Sequence, residues 1–532
     1  MQNPDAIVIG GGHNGLVCAC YLARAGLKVR VLERRNIVGG AAATEEFHPG
    51  FRNSIASYTV SLLHPKVIKD LHLMEHGLRI VERPISNFLP LGDDQYLKLG
   101  GGLEATQAQF AKFSNRDAER LPAYEKMLDN VGGLLRDLLL STPPNSGGGI
   151  TDFIRAIQAG AQAKKLSPAA RADALDLFTL SVAEMLERWF ESEPVKAAFG
   201  FDAVVGTFAS PYTPGTAYVL LHHVVGEVNG KRGAWGHAIG GMGAITQAMA
   251  REAESLGVEI STDAPVAQVL VKNGRATGVV LESGEEIHAP WVAANVNPKL
   301  LYLDLVPADA LEEEFRERMQ RYYCASATFR MNVALSELPD FKCLPGSHLQ
   351  PHHQSGIVMA PSLDFLDQAH SDARRFGWSK KPFVEMLIPS TVDDTLAPEG
   401  QHVASLFCQH FDPNLPDGQS WDEVREEVAD LIIDRVNFYA PNFKASVLGR
   451  MILSPLDLER KLGLVGGDIF HGALRLNQLF SARPLLGHGD YRAPLKGLYL
   501  CGAGAHPGGA VTGVPGHNAA REMVQDRRWT KH

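Results

Sequence analysis

Residues 6–33 read AIVIGGGHNGLVCACYLARAGLKVRVLE, and their pattern decides the fold. Ala6–Ile9 is an unbroken apolar run ahead of three glycines, as expected of a strand buried on both faces in a parallel sheet. Leu16, Ala19, Cys20 and Ala23 then recur at i, i+3, i+4 and i+7, which predicts a helix over 14–25 with one buried face. Gly26 ends that helix, Lys28–Leu32 reads as a second strand, and Glu33 stands at its end, so the stretch forms one βαβ unit.

Within this unit Gly10, Gly12 and Gly15 make a GxGxxG fingerprint between strand and helix, the context its chemistry requires. The first glycine permits the tight turn, the second lets a pyrophosphate approach the backbone, and Gly15 lets helix and strand pack closely. Phosphates would rest on the free N–H groups of the helix N-terminus, with His13 and Asn14 in its first turn. Glu33 stands where an acid accepts hydrogen bonds from a ribose diol, and a carboxylate there disfavours a 2′-phosphate. The expected fold is therefore α/β, with a Rossmann-like dinucleotide-binding domain.

The fingerprint alone does not separate FAD from NAD. The residues that follow read RRNIVGGAAATEEFHPGF, and here the sequence resembles the flavin-containing oxidoreductases of the phytoene desaturase and amine oxidase type. In that family a twin glycine after the ribose-binding acid lies along the FAD pyrophosphate, and Gly39 and Gly40 match it, flanked by Arg34 and Ala41. FHPGFRNSIASYTVSLLHP is similar to the phytoene desaturase-like branch. The resemblance implies non-covalent FAD.

Two further segments carry the likeness. Residues 240–298 predict a helix from Ala244 to Leu256 and strands at 258–260, 266–271 and 276–281, with turns at Asn273-Gly274 and Ser283-Gly284. In the family this block returns the chain to the FAD domain, and the resemblance places Val266 at the adenine. Near the end, GLYLCGAGAHPGGAVTGVPGHNAAREM predicts a strand over 498–501, a glycine-rich loop and a helix from about Pro515. It resembles the family's C-terminal flavin loop, which implies that Gly502 and Ala503 meet the pyrophosphate and ribityl region and Gly513, Val514 and Gly516 the ring. Many relatives carry Gly-Asp where this chain has Gly502-Ala503.

These positions imply a discontinuous FAD domain of residues 1–65, 231–300 and 490–532, into which an α+β substrate domain of 66–230 and 301–489 is inserted. Insertion at strand ends sets substrate against cofactor. The helical text from Asp152 to Phe190 reads as amphipathic core packing, with a cavity wall or a bilayer-facing surface as the alternatives. Gly240–Gly243 lacks a preceding apolar strand, which argues against a separate nicotinamide domain, and Cys18 and Cys20 point to different helix faces, which argues against a redox dithiol.

The composition fits this picture. Of 532 residues 45% are hydrophobic and 21% charged, a globular mix with room for several domains. The net charge of −9 gives no global pull toward nucleic acid. The six cysteines include no CxxC, and the start of the chain shows no secretory pattern, so a reducing, cytoplasmic setting is expected. No apolar run reaches the length of a membrane span, which leaves peripheral membrane contact open. The histidine pairs His222-His223 and His352-His353 diverge in regular structure, and no metal site is expected.

A flavin without a nicotinamide domain takes electrons from an organic substrate, commonly as hydride from a C–H bond. Forming C=C also removes a proton, for which His471, Asp468 or His506 are the candidate bases. The leading expectation is a dehydrogenase of a small hydrophobic substrate, a polyene or lipid, with oxygen or a quinone as acceptor. An amine oxidase would need an aromatic pair facing the ring, for which Tyr322-Tyr323 and Phe470 are the candidates. A non-catalytic protein stabilised by FAD is the third reading.

Overall fold

The computed structural model describes residues 3–346 and 348–530; residues 1, 2, 347, 531 and 532, which the expected domain boundaries include, lie outside the described residues. The strand Ala6–Ile9 sits at the centre of a five-stranded sheet in the order Glu259–Ser261, Val29–Leu32, Ala6–Ile9, Trp291–Ala294, Leu498–Leu500. Every pairing is parallel, with Ala6 opposite both Val29 and Trp291. The apolar run is continuous because both faces are covered. The helix His13–Arg24 packs against the helices Gly243–Ser255 and Val514–Thr530. Ile7, Val8, Leu16 and Val17 are wholly buried between these layers, each contributing about 1.5–3 kcal/mol relative to exposure.

The antiparallel strands Val266–Lys272, Arg275–Leu281 and Glu286–His288 form a meander beside this sheet. Its first turn places Asn273 and Gly274 at φ 50° and 71°, the two left-handed positions of a type I′ hairpin.

The second layer is a mixed seven-stranded sheet in the order Val447–Leu453, Thr328–Leu335, His402–Phe411, Trp378–Leu387, Gly356–Val358, Asn87–Pro90, Tyr96–Leu99. The two-residue period of its strands divides the side chains. Val384 and Leu406 pack with Trp421, Val428 and Ile432 of the helix Trp421–Tyr439. Phe383 and Phe407 pack on the opposite face with Leu121, Leu186 and Phe201 of the helical layer. Glu385 shares the face of Phe383.

Two expectations are corrected here. The helix Ile150–Lys164 has no buried residue: Ile150, Phe153, Ile154 and Ile157 form an exposed apolar stripe, with Phe153 66% exposed, so core packing fails for the first part of 152–190. A short strand, Gly236–Ala238, does precede Gly240. It pairs antiparallel with Ile80–Glu82, outside the parallel sheet, and so makes no second βαβ unit.

Candidate functional site

The C-terminal ends of the parallel strands open on a cleft, as the topology of such sheets requires. Gly10, at φ 94°, makes the turn out of the first strand. A Cβ on Gly15 would stand 2.1 Å from the Gly10 carbonyl oxygen, so helix and turn touch backbone to backbone. The helix that begins at His13 has no side-chain cap and no acid in its first turn, leaving its N–H groups to an anion. Asn14 is 1% exposed, and neither Nδ2 nor Oδ1 has a partner. Orphaned polar atoms at a capless helix start fit a bound pyrophosphate. Glu33 Oε2 accepts from the Gly11 N–H at 2.8 Å and Oε1 from the Arg35 N–H at 2.9 Å. Each oxygen keeps a lone pair for a ribose hydroxyl.

Gly10, Gly12, His13, Asn14, Glu33, Arg34, Gly40, Ala41, Val266 and Ala503 line this cleft. Gly39 stands behind it, donating its N–H to the Gly11 carbonyl at 2.9 Å and so bringing the twin glycine against the fingerprint turn. Gly502 approaches Asn295, whose Oδ1 would lie 2.9 Å from a Cβ there. Gly513, Val514 and Gly516 are not among the residues lining the cleft, and the two glycines lie against neighbouring helices. A Cβ on Gly516 would lie 2.1 Å from the Asn14 carbonyl oxygen, and Gly513 abuts Val17 and Val67. Besides Ala503, the residues of that loop that reach open space are Ala510 and Val511.

A second cavity runs from the cleft toward the seven-stranded sheet. The two share His13, Ala41, His471 and Ala503. The second is mostly apolar, with walls that include Val60, Leu62, Phe201, Met242 and Phe470. Asn87 and Glu385 reach it from the sheet, and Tyr58 donates its hydroxyl hydrogen to Glu385 Oε2.

Of the three candidate bases, His471 alone lines the cavity. Its φ is 57°, its Nδ1 has no partner, and burial with the nearby Arg483 charge lowers its pKa to about 4. Burial likewise lowers His13 to about 4. Asp468 is not among the residues lining either space: its Oδ1 accepts from the Phe470 N–H at 2.8 Å, and its Oδ2 is buried without a partner. Burial raises its pKa to about 6. His506 is corrected as well, since its Nε2 meets the Leu138 carbonyl at 3.0 Å and its ring packs on Phe480. Tyr322 donates to the His471 carbonyl at 2.9 Å, and Tyr323 lies under Arg475. Neither enters the cavity, whereas Phe470 does.

Sequence reasoning missed Asn295 and Arg483. Asn295 donates to the Gly10 carbonyl at 3.2 Å, tying the fingerprint to the neighbouring strand, and no local pattern marks it. Arg483, wholly buried, binds five carbonyls of the loops that bound the cavity, including Phe470 at 2.6 Å and Ala503 at 2.8 Å. The rings of His352 and His353 do not diverge: their centroids are 4.0 Å apart in a tight 3₁₀ turn. Among the described residues no three metal-ligating side chains gather, and no helix is long and apolar enough to cross a membrane. Cys18 lies beside Cys501, and Cys20 points instead at the Met249 carbonyl.

The flavin containing amine oxidoreductase family matches residues 15–329. The chain is 43% identical to pyridine nucleotide-disulfide oxidoreductase domain-containing protein 2 of Rattus norvegicus, over 98% of this chain and 93% of the relative. It is 26% identical to a lycopene-forming phytoene desaturase of Pseudescherichia vulneris, over 96% of each chain. Among solved structures a putrescine oxidase variant shares the fold, with a TM-score of 0.60 at 16% identity over 99% of each chain.

Proposed function

Because this chain belongs to the flavin-containing amine oxidoreductase family and is an FAD-dependent oxidoreductase, we propose that it dehydrogenates a hydrophobic organic substrate, a polyene or other lipid, with oxygen or a quinone as the final electron acceptor. One observation carries this reading. The apolar cavity borders the cofactor cleft and shares His13, Ala41, His471 and Ala503 with it, so a substrate there would lie beside bound cofactor. Bound FAD supplies an acceptor for the hydride that leaves a substrate carbon. The apolar walls orient the chain and keep water from the reacting carbons. Desaturation also removes a proton from the neighbouring carbon, and His471, held neutral with Nδ1 free, is the group positioned to take it. The likeness to a phytoene desaturase supports this chemistry. An amine oxidase is the second reading, since Phe470 lines the cavity together with Tyr58 and Phe407, whose rings stack 5.4 Å apart, while Tyr322 and Tyr323 do not.

The test is the anaerobic visible spectrum of the FAD-loaded protein. Excess NADH or NADPH is expected to leave the flavin band oxidised, and an apolar polyene to bleach it. Rapid bleaching by either nicotinamide overturns the reading in favour of a reductase. A flavin that none of the polyenes, other lipids or amines reduces overturns it in favour of a non-catalytic protein.

A further inference from the structure

The sheet side of the apolar cavity carries more charge than a hydrocarbon needs. Arg83 lines it, with one guanidinium hydrogen bond, from Nη2 to the Thr59 hydroxyl; among the described residues it has no ion pair within 4.0 Å, and Glu385 is the nearby carboxyl that acts on its charge. A Cβ on Gly356 would lie 2.9 Å from Glu385 Oε1, 3.3 Å from Asn87 Nδ2 and 3.4 Å from Arg83 Nη1. Three polar atoms from three segments of the chain therefore converge where the chain keeps a glycine, and Arg83 Nη1 and Asn87 Nδ2 lack protein partners.

The charges do not balance without a ligand. Glu385 is 6% exposed and accepts from Tyr58, whose ring lies beneath the Arg330 guanidinium at 4.5 Å. Arg330 is 1% exposed, donates Nη2 to Ser405 at 2.8 Å, and leaves Nε and Nη1 without partners. Burial pushes the Asp202 carboxyl up to about 8, so that group adds little negative charge at neutral pH. One carboxylate thus stands among two guanidinium groups, and the surplus is positive. A buried positive charge without a partner is costly, and a carboxylate matches the guanidinium fork.

We infer that the substrate is an amphipathic acid, with an apolar body along the cavity and a terminal carboxylate held by Arg83 and Asn87 at the sheet end, opposite the cofactor. This deepens the dehydrogenase reading and rests on it for the word substrate. The head group fixes which carbons of the body lie beside His471.

The test uses the FAD-loaded, oxidised protein and three ligands of one long polyene chain: the carboxylic acid, its methyl ester and the primary amine. Binding is read from the perturbed flavin spectrum, without turnover. The acid is expected to bind about 10-fold or more tightly than ester and amine, and Arg83→Met to remove that preference while flavin content stays unchanged. Equal affinities, or tighter binding of the amine, overturn the inference. Should the variant lose FAD, the wild-type ranking decides, supported by loss of the acid's advantage in Asn87→Ala. Anaerobic reduction separates the two readings. Acid-selective binding without bleaching sinks the dehydrogenase reading alone, and bleaching at equal rates by acid and ester with equal affinities sinks the carboxylate alone.

Discussion

Arg483 donates two hydrogen bonds to the Ala503 carbonyl, from Nε at 3.1 Å and Nη2 at 2.8 Å, and so ties the loop before the last strand to the loop after it. The same guanidinium reaches Phe470, Gly472, Ala473 and Gln478. Ala503 and His471 both line the junction of cleft and cavity, so one buried side chain holds that junction's shape. Among the described residues no carboxylate lies within ion-pair distance of Arg483; its hydrogen bonds go to carbonyls, and Asp468 is the carboxyl that feels its charge.

Arg483→Met is therefore expected to leave five buried carbonyls unsatisfied and to cost about 3 kcal/mol or more. Melting with and without added FAD measures this. An unchanged midpoint and unchanged flavin content would show that the loops hold themselves.

Gly15→Ala places a methyl 2.1 Å from the Gly10 carbonyl oxygen, where backbone must give way. Flavin absorbance per chain is expected to fall to near zero. Gly26→Ala is the control: at φ 80° with no atom within 4 Å of its Cβ, it costs only the left-handed strain, about 1–2 kcal/mol. Equal flavin content in both variants would refute the packing argument.

Glu33→Gln turns one carboxylate oxygen into an NH₂ that faces a backbone N–H, either of Gly11 or of Arg35. The donor–donor clash is expected to weaken FAD binding by about 1–3 kcal/mol. Titrating apoprotein with FAD reads the change, and an unaltered Kd would place the ribose elsewhere.

His471→Gln is expected to keep flavin content and lower the anaerobic reduction rate about 10²–10⁴-fold. Since burial holds the imidazole near a pKa of about 4, the wild-type rate should show no histidine titration between pH 5.5 and 8. A limb near 6.5 that vanishes in the variant would mean a different electrostatic setting for His471.

Acid should destabilise this protein early. Burial lowers His222 and His352 to about 3 and His506 to about 4, whereas the unfolded chain titrates near 6.5. Below pH 6.5 the unfolded state binds more protons, so stability is lost as pH falls through that window toward the folded values. At pH 5 each such histidine accounts for about 2 kcal/mol. His352, with both ring nitrogens unpartnered beside Phe88 and Phe341, provides the check. Between pH 7.5 and 5 the Tm of His352→Leu should fall less than that of the wild type, and parallel curves would sink the argument.

The parallel sheet and its cofactor were legible in the chain because their signals are local. A buried strand, a capless glycine turn, a one-faced helix and an acid follow each other within 28 residues, 6–33, and each is dictated by backbone geometry. Ala6–Ile9, the helix starting at His13 and the Asn273-Gly274 hairpin stand where periodicity and turn chemistry put them. The C-terminal loop was harder. Its glycines face a helix instead of a ligand at Gly513 and Gly516, and nothing in a glycine's neighbours tells which surface will press on it.

What the sequence by itself determined is the dinucleotide-binding half, because chain-adjacent residues build it and their spacing is its geometry. The apolar cavity beside it depends on contacts between segments far apart in the chain. Asn295 ties itself to Gly10 across 285 positions, and Tyr58 to Glu385 across 327. Only packing of the seven-stranded sheet against the parallel one brings Arg83, Asn87, Glu385 and His471 to the wall of one cavity. Such contacts have no period and no local propensity; they exist because two hydrophobic layers bury each other and strand alternation then aims particular side chains into the space between.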